Sequence, residues 1–112
     1  MQNWKQRAEA IAEVEFEDCR RPHAYADYLE AEDVVYVFYC PPKKDLARGT
    51  LKMEELTKRL AELAIPQLGY GEYPQRGPKE GYSCVALYTA SKQQLPLIKQ
   101  ICTEVFGTNF RR

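Results

Sequence analysis

Charge of neither sign is in surplus. Lys and Arg together number 16, as do Asp and Glu, and the formal net charge is zero. That balance removes the strongest compositional argument for a nucleic-acid partner, which favours a basic excess, while leaving room for a local basic patch. Histidine occurs once, so any chemistry that needs an imidazole must use His23. The four cysteines, Cys19, Cys40, Cys84 and Cys102, stand far apart with no CxxC pair, which argues against a zinc knuckle or a dithiol redox motif. No GxGxxG or GKS/GKT pattern offers a phosphate-binding loop. No apolar run approaches the length that crosses a bilayer, and the charged, periodic start "MQNWKQRAEAIAEVEFED" has no apolar core of a signal peptide. The expectation is a cytoplasmic protein with reduced thiols, without membrane contact, cofactor or metal. Internal repeats and low-complexity segments are also lacking.

What is present fits one folded domain. The 112 residues suffice to bury a core without disulfide or metal staples. Eight tyrosines are many for this length. Each carries a large apolar body and a polar tip, which suits contact surfaces as well as cores.

Residues 3–13 read as a helix, with Asn3 and Gln6 placed as a capping box and Trp4, Ala8, Ile11 and Ala12 on one face. Pro22 suits the first position of a second short helix, and Tyr25, Tyr28 and Leu29 have helical spacing. "DVVYVFYC", 33–40, is β-branched and aromatic throughout and predicts a buried strand, ended by Pro41 and Pro42. Residues 51–65 form the clearest helix, with Met53, Leu56, Leu60 and Leu63 as its apolar stripe, and Pro66 ends it. The glycine-rich stretch "QLGYGEYPQRGPKEGY" predicts a weak strand near 68–73 and a turn near 74–80. "YSCVALYT", 82–89, is a second strong strand. Ser91 and Gln94 form another capping box ahead of a helix with Leu95, Ile98, Cys102 and Val105 in its stripe and Gly107 at its C-terminal cap. Residues 108–112 read as a tail or a short final strand.

The expected fold is therefore α+β in a single domain, 1–112. Residues 1–32 form a helical extension, and 33–112 a β-α-β-β-α core. With a final strand this becomes the β-α-β-β-α-β order of the ferredoxin-like plait, and the expected architecture is such a plait, with three or four mainly antiparallel strands and helices on one face.

Alternation along the two strong strands sorts their side chains. Tyr82, Cys84, Ala86 and Tyr88 share one face of the last strand; Val85 and Leu87 share the other, which is expected to meet the helices. Tyr36 and Phe38 share a face of the first. With its aromatics on an open sheet face, this arrangement resembles the RNA recognition motif, which stacks bases on aromatics of its two central strands. "VYVFYC" lies where that family has its first short motif and "EGYSCVAL" where it has the second. Gly81, Tyr82 and Val85 match the second motif; Glu80, Cys84 and Leu87 depart from it. The resemblance implies single-stranded nucleic-acid binding through Tyr36, Phe38, Tyr82 and Tyr88, with Lys43, Lys44, Arg76 and Lys79 on phosphates. Against it stands burial of the same tyrosines beneath the N-terminal helices, where Trp4, Ile11, Tyr25 and Leu29 need cover.

"CRRPH" places Cys19 beside Arg20 and Arg21 and four residues before His23. Neighbouring positive charge activates a thiol, and Cys-x-x-x-His is half a zinc site, but no second ligand pair accompanies it. No catalytic set assembles from one histidine and scattered acids. The reading that remains is a non-enzymatic binding or regulatory domain acting through protein–protein contact, alone or as a homodimer. Its expected contact residues are Tyr70, Tyr73, Arg76, Lys79 and Tyr82, because tyrosine anchors interfaces. A small-ligand sensor in the sheet–helix groove is the further alternative.

Overall fold

The computed structural model describes residues 4–15, 23–41, 46–74 and 82–111, and of residues 13–15, 46–49, 74 and 82 the backbone alone. Helix α1 spans Trp4–Glu15. Strands β1 (His23–Leu29) and β2 (Val34–Cys40) form a hairpin, helix α2 spans Leu46–Glu62, strands β3 (Gln67–Pro74) and β4 (Tyr82–Tyr88) form a second hairpin, and helix α3 spans Leu95–Phe106. The four strands make one sheet in the order β1-β2-β4-β3, antiparallel throughout. Since β2 and β3 both run opposite to β4, they run parallel to each other. Helix α2 therefore links two parallel strands with β4 inserted between them, a split β-α-β arrangement.

The protein is thus α+β, with a four-stranded antiparallel sheet and three α-helices among the described residues. Two expectations are corrected. Residues 23–29 are a strand and not a helix: they pair along their whole length with β2, from His23 opposite Cys40 to Leu29 opposite Val34. The edge strand beside β2 is consequently β1, which precedes the core. The tail does not supply it. Residues 107–109 form a short 3-10 turn, and Phe110 makes one isolated parallel bridge to Ala24. Helices cover both faces of the sheet, α2 and α3 on one and α1 on the other, so the face of Tyr36 and Phe38 is not open.

The two faces have separate cores. On one, Ala24, Ala26, Val35, Val37, Tyr39, Cys84, Ala86 and Tyr88 meet Met53, Leu56 and Leu60 of α2 and Ile98, Ile101, Cys102, Val105 and Phe106 of α3. On the other, Val34, Phe38, Cys40, Val85 and Leu87 meet Ala8 and Ala12 of α1. The sides expected for β4 are therefore exchanged: Cys84, Ala86 and Tyr88 face α2 and α3, and Val85 and Leu87 face α1. Leu63, counted in the stripe of α2, lies beyond the helix end and is exposed. An ion pair of Arg59 with Glu104 at 3.0 Å joins α2 to α3, and one of Arg7 with Glu32 at 3.1 Å ties α1 to the β1–β2 turn.

The capping box of Ser91 and Gln94 is present. It opens a 3-10 turn at Lys92–Gln94 that runs into α3, and Gly107 ends α3 at φ 64°. Asn3, the expected cap of α1, lies outside the described residues.

Candidate functional site

The glycine-rich strand β3 positions the site. It is an edge strand: β4 pairs with one side of it. In an antiparallel ladder alternate residues direct their N–H and C=O groups at the partner and the rest outward, so β3 presents a row of outward backbone groups. The opposite edge, β1, is treated differently. The tail crosses it at Ala24, whose carbonyl accepts a hydrogen bond from the Arg111 N–H at 2.7 Å. Farther along β1, Asp27 is exposed, as Glu72 is on β3.

Both glycines of "LGYGEY" have a steric role on the α1 face. A Cβ on Gly69 would lie 2.2 Å from the Trp4 indole, and one on Gly71 would lie 2.4 Å from the Tyr73 hydroxyl oxygen. The glycines let α1 and the Tyr73 ring lie directly on the strand. The Tyr73 hydroxyl then reaches the Lys5 carbonyl at 3.5 Å. Burial, with Glu9 nearby, raises the pKa of Tyr73 above its ordinary value.

The other face of β3 borders a groove of about 320 Å³ lined by Thr50, Met53, Glu54, Thr57, Lys58 and Ala61 of α2 and by Gln67 and Tyr70 of β3. Polar contacts fix its walls. The Tyr70 hydroxyl donates to Glu72 Oε1 at 2.9 Å, and Thr50 Oγ1 donates to the same atom at 3.4 Å. Gln67 Nε2 donates to Thr57 Oγ1 at 3.1 Å, and the Thr57 and Tyr88 hydroxyls share a hydrogen bond of 2.9 Å. Burial, followed by the contacts with Cys84 and Glu72, pushes the Tyr70 phenol well above its usual range. Tyr70 is thus a neutral hydrogen-bond donor at any physiological pH.

Of the expected contact residues, Tyr70 lines the groove while Tyr73 lies on the opposite face of β3. Tyr82 pairs with Pro74 at the strand start, and its side chain lies outside the description. Arg76 and Lys79 lie outside the described residues, as do Lys43, Lys44 and Cys19.

The expected nucleic-acid platform is not assembled on one face. Tyr36 is opposite Leu87 and Val35 is opposite Tyr88, so Tyr36 and Phe38 lie on the α1 face and Tyr88 on the other. Tyr88 is 0% exposed beneath α2. Tyr36 and Phe38 instead join an aromatic cluster with Tyr25, at centroid distances of 5.7 and 5.5 Å. His23 opens β1 rather than sitting in a turn. It is buried, its ring stacked on Tyr25 at 6.4 Å and tilted against Phe38 at 5.6 Å.

The α2 side of the groove was missed in the sequence. Its one available signal is the spacing of Thr50, Glu54, Thr57, Lys58 and Ala61, a stripe beside the apolar one on the same helix. Among the described residues no group of three or more His, Cys, Asp or Glu side chains could hold a metal ion, and no helix is long and apolar enough to cross a membrane. Comparison with protein-family models, with curated proteins and with solved structures finds no match.

Proposed function

We propose that this chain is a small binding domain that acts through protein–protein contact, with the outer edge of β3, paired by no strand among the described residues, and the adjoining α2–β3 groove as its contact surface. The observation that carries this is the juxtaposition: a row of outward backbone groups lies beside a groove into which side chains of an added strand can project. Strand addition draws affinity from the backbone and selectivity from such pockets. Exposed Leu68 on the same strand adds apolar area, and zero net charge suits a protein partner better than a polyanion. We read the sheet itself as a ferredoxin-like plait whose outer strand comes from the N-terminal side.

Paired baits test the reading. Full-length chain and its Tyr70→Ala and Thr57→Arg variants, each checked for an unchanged circular dichroism spectrum, are used to capture proteins, a differently tagged copy of this chain among them. A partner recovered by the wild type and reduced about tenfold or more by both variants is expected, since interface anchors carry most of the binding energy. A partner retained equally by both variants contradicts it.

The groove volume carries a second reading. About 320 Å³ falls at the lower end of the range for small-molecule pockets, so a small-ligand sensor uses the same residues. A ligand that shifts the amide signals of 50–61 and 67–72 without any protein partner would favour it.

A further inference from the structure

We infer that the occupant of the β3 edge is a second copy of this chain, paired antiparallel across a two-fold axis at Gly71. The inference rests on the protein-contact reading of the β3 edge and adds the partner and the register.

The pairing segment is bounded on both sides. At one end the β3–β4 register is irregular between Gln67 and Gly69, and at the other Pro74 closes the strand. A bulge disrupts the ladder locally, and proline has no N–H to donate. Regular backbone remains over Gly69–Tyr73, and the middle of that run is Gly71.

A two-fold contact is isologous, so the segment must complement itself. With the axis at Gly71, Gly71 faces its own copy, Tyr70 faces Glu72 of the second copy, and Gly69 faces Tyr73. Each pair is made twice. Directly opposed side chains on one face of an antiparallel pair are near neighbours, so each Tyr70 hydroxyl meets a carboxylate. Each Tyr70 hydroxyl has one proton, which in the single chain goes to its own Glu72 Oε1; in the pair the two phenols exchange carboxylates, so each donates to Glu72 of the other copy and no donor loses its acceptor. Moving the axis by one residue toward Pro74 would set Glu72 against Glu72, a like-charge pair that destabilises a sheet. Moving it one residue the other way runs the segment into the bulge. Gly71 is therefore the register that avoids both the like-charge pair and the bulge.

The geometry also closes. Joining β3 to β3 makes one continuous eight-stranded sheet whose outer edges are the two β1 strands. Those edges carry the tail at Ala24, so growth stops at two copies. Zero net charge removes long-range repulsion between identical chains.

The test starts with sedimentation of the unmodified full chain over a range of micromolar concentrations. A reversible transition from one to two chain masses is expected, and a monomer throughout overturns the inference. Register is tested with the double variant Tyr70→Cys, Glu72→Cys under mild oxidation. Opposed Cα atoms in an antiparallel pair are about 4.5–5.5 Å apart, within disulfide range. The double variant should yield a covalent dimer whose peptide map joins 70 to 72, with neither single variant nor the unmodified chain doing so. A dimer cross-linked through other positions overturns the register and with it the proposal. If the double variant does not fold, slowed exchange of the outward amides of 69–73 in the concentrated wild type is the expected result, and exchange independent of concentration overturns the proposal. A monomer whose groove still captures another protein in a Tyr70-dependent way contradicts this inference alone and leaves the protein-contact reading standing.

Discussion

The indole of Trp4 occupies the space that a side chain at Gly69 would need, with Trp4 Cδ2 2.2 Å from the position of a Cβ. One missing carbon thus decides whether α1 can rest on β3. Gly69→Ala forces the indole away, and overpacking of this kind costs about 1–3 kcal/mol. Trp4 is the single tryptophan, so its emission reports the contact directly. The expected result is a lower melting temperature with emission shifted to the red. Unchanged emission and melting temperature would show that the indole does not lie on the strand.

The Tyr88 phenol and the Cys102 thiol share the core on the α2 and α3 face of the sheet, and burial is the largest cause of the shift at both. It pushes Tyr88 from an ordinary 10.0 up to about 12, with the Thr57 hydrogen bond pulling slightly the other way, and Cys102 from 9.0 to about 12. The unfolded chain loses these protons at lower pH than the folded chain. Stability is therefore full below about pH 9 and falls as pH rises from there towards about 12. Tyr88 alone accounts for roughly 2–3 kcal/mol of that loss. Thermal melts across this range should show the decline, and Tyr88→Phe should flatten its upper part. The same variant should cost about 1 kcal/mol at neutral pH through the lost bond to Thr57. A melting temperature that stays level through about pH 11 would contradict the burial of both groups.

Ala64 sits at φ 59° just past the end of α2. Its N–H donates to the Ala61 carbonyl at 3.0 Å and the Ile65 N–H donates to the Leu60 carbonyl at 2.9 Å. This is the Schellman closure of a helix, in which glycine is the favoured residue because a Cβ is strained in the left-handed region. Ala64→Gly should stabilise the chain by about 1 kcal/mol, net of the greater freedom glycine gains when unfolded. Chemical denaturation measures it; a midpoint moved to lower denaturant would show that Ala64 is not strained.

How much of this is legible in the sequence depends on which forces are local. Helix α2 and strands β2 and β4 announce themselves because their periodicity and composition agree. The Ser91–Gln94 cap and Gly107 mark the ends of α3 through backbone groups that only nearby residues can satisfy. β1 is hidden because "HAYADYL" satisfies two periods at once. Tyr25, Tyr28 and Leu29 fit a helix face, while Ala24 and Ala26 alternate with His23 and Tyr25 as in a strand. Pairing with β2, a non-local event, decides between them.

The face assignment of β4 fails for a related reason. Both of its faces are covered, so Val85 and Leu87 on one side and Ala86 and Tyr88 on the other are equally buried, and alternation alone carries no sign. Of the groove, Tyr70 stands out in the sequence. The α2 residues do not, because Thr50 and Glu72 meet across 22 positions of chain.

The central claim is that the outer edge of β3 is a contact surface, and amide hydrogen exchange across 67–74, measured free and associated, tests it most directly. Association here means either a concentrated sample of the chain itself or its complex with a captured partner. The account predicts that the outward amides of Gly69–Tyr73 exchange fast when dilute and slow on association, together with protection along Thr50–Ala61. Exchange in β3 that stays the same on association, with new protection instead around Tyr25 and Tyr36, would contradict it.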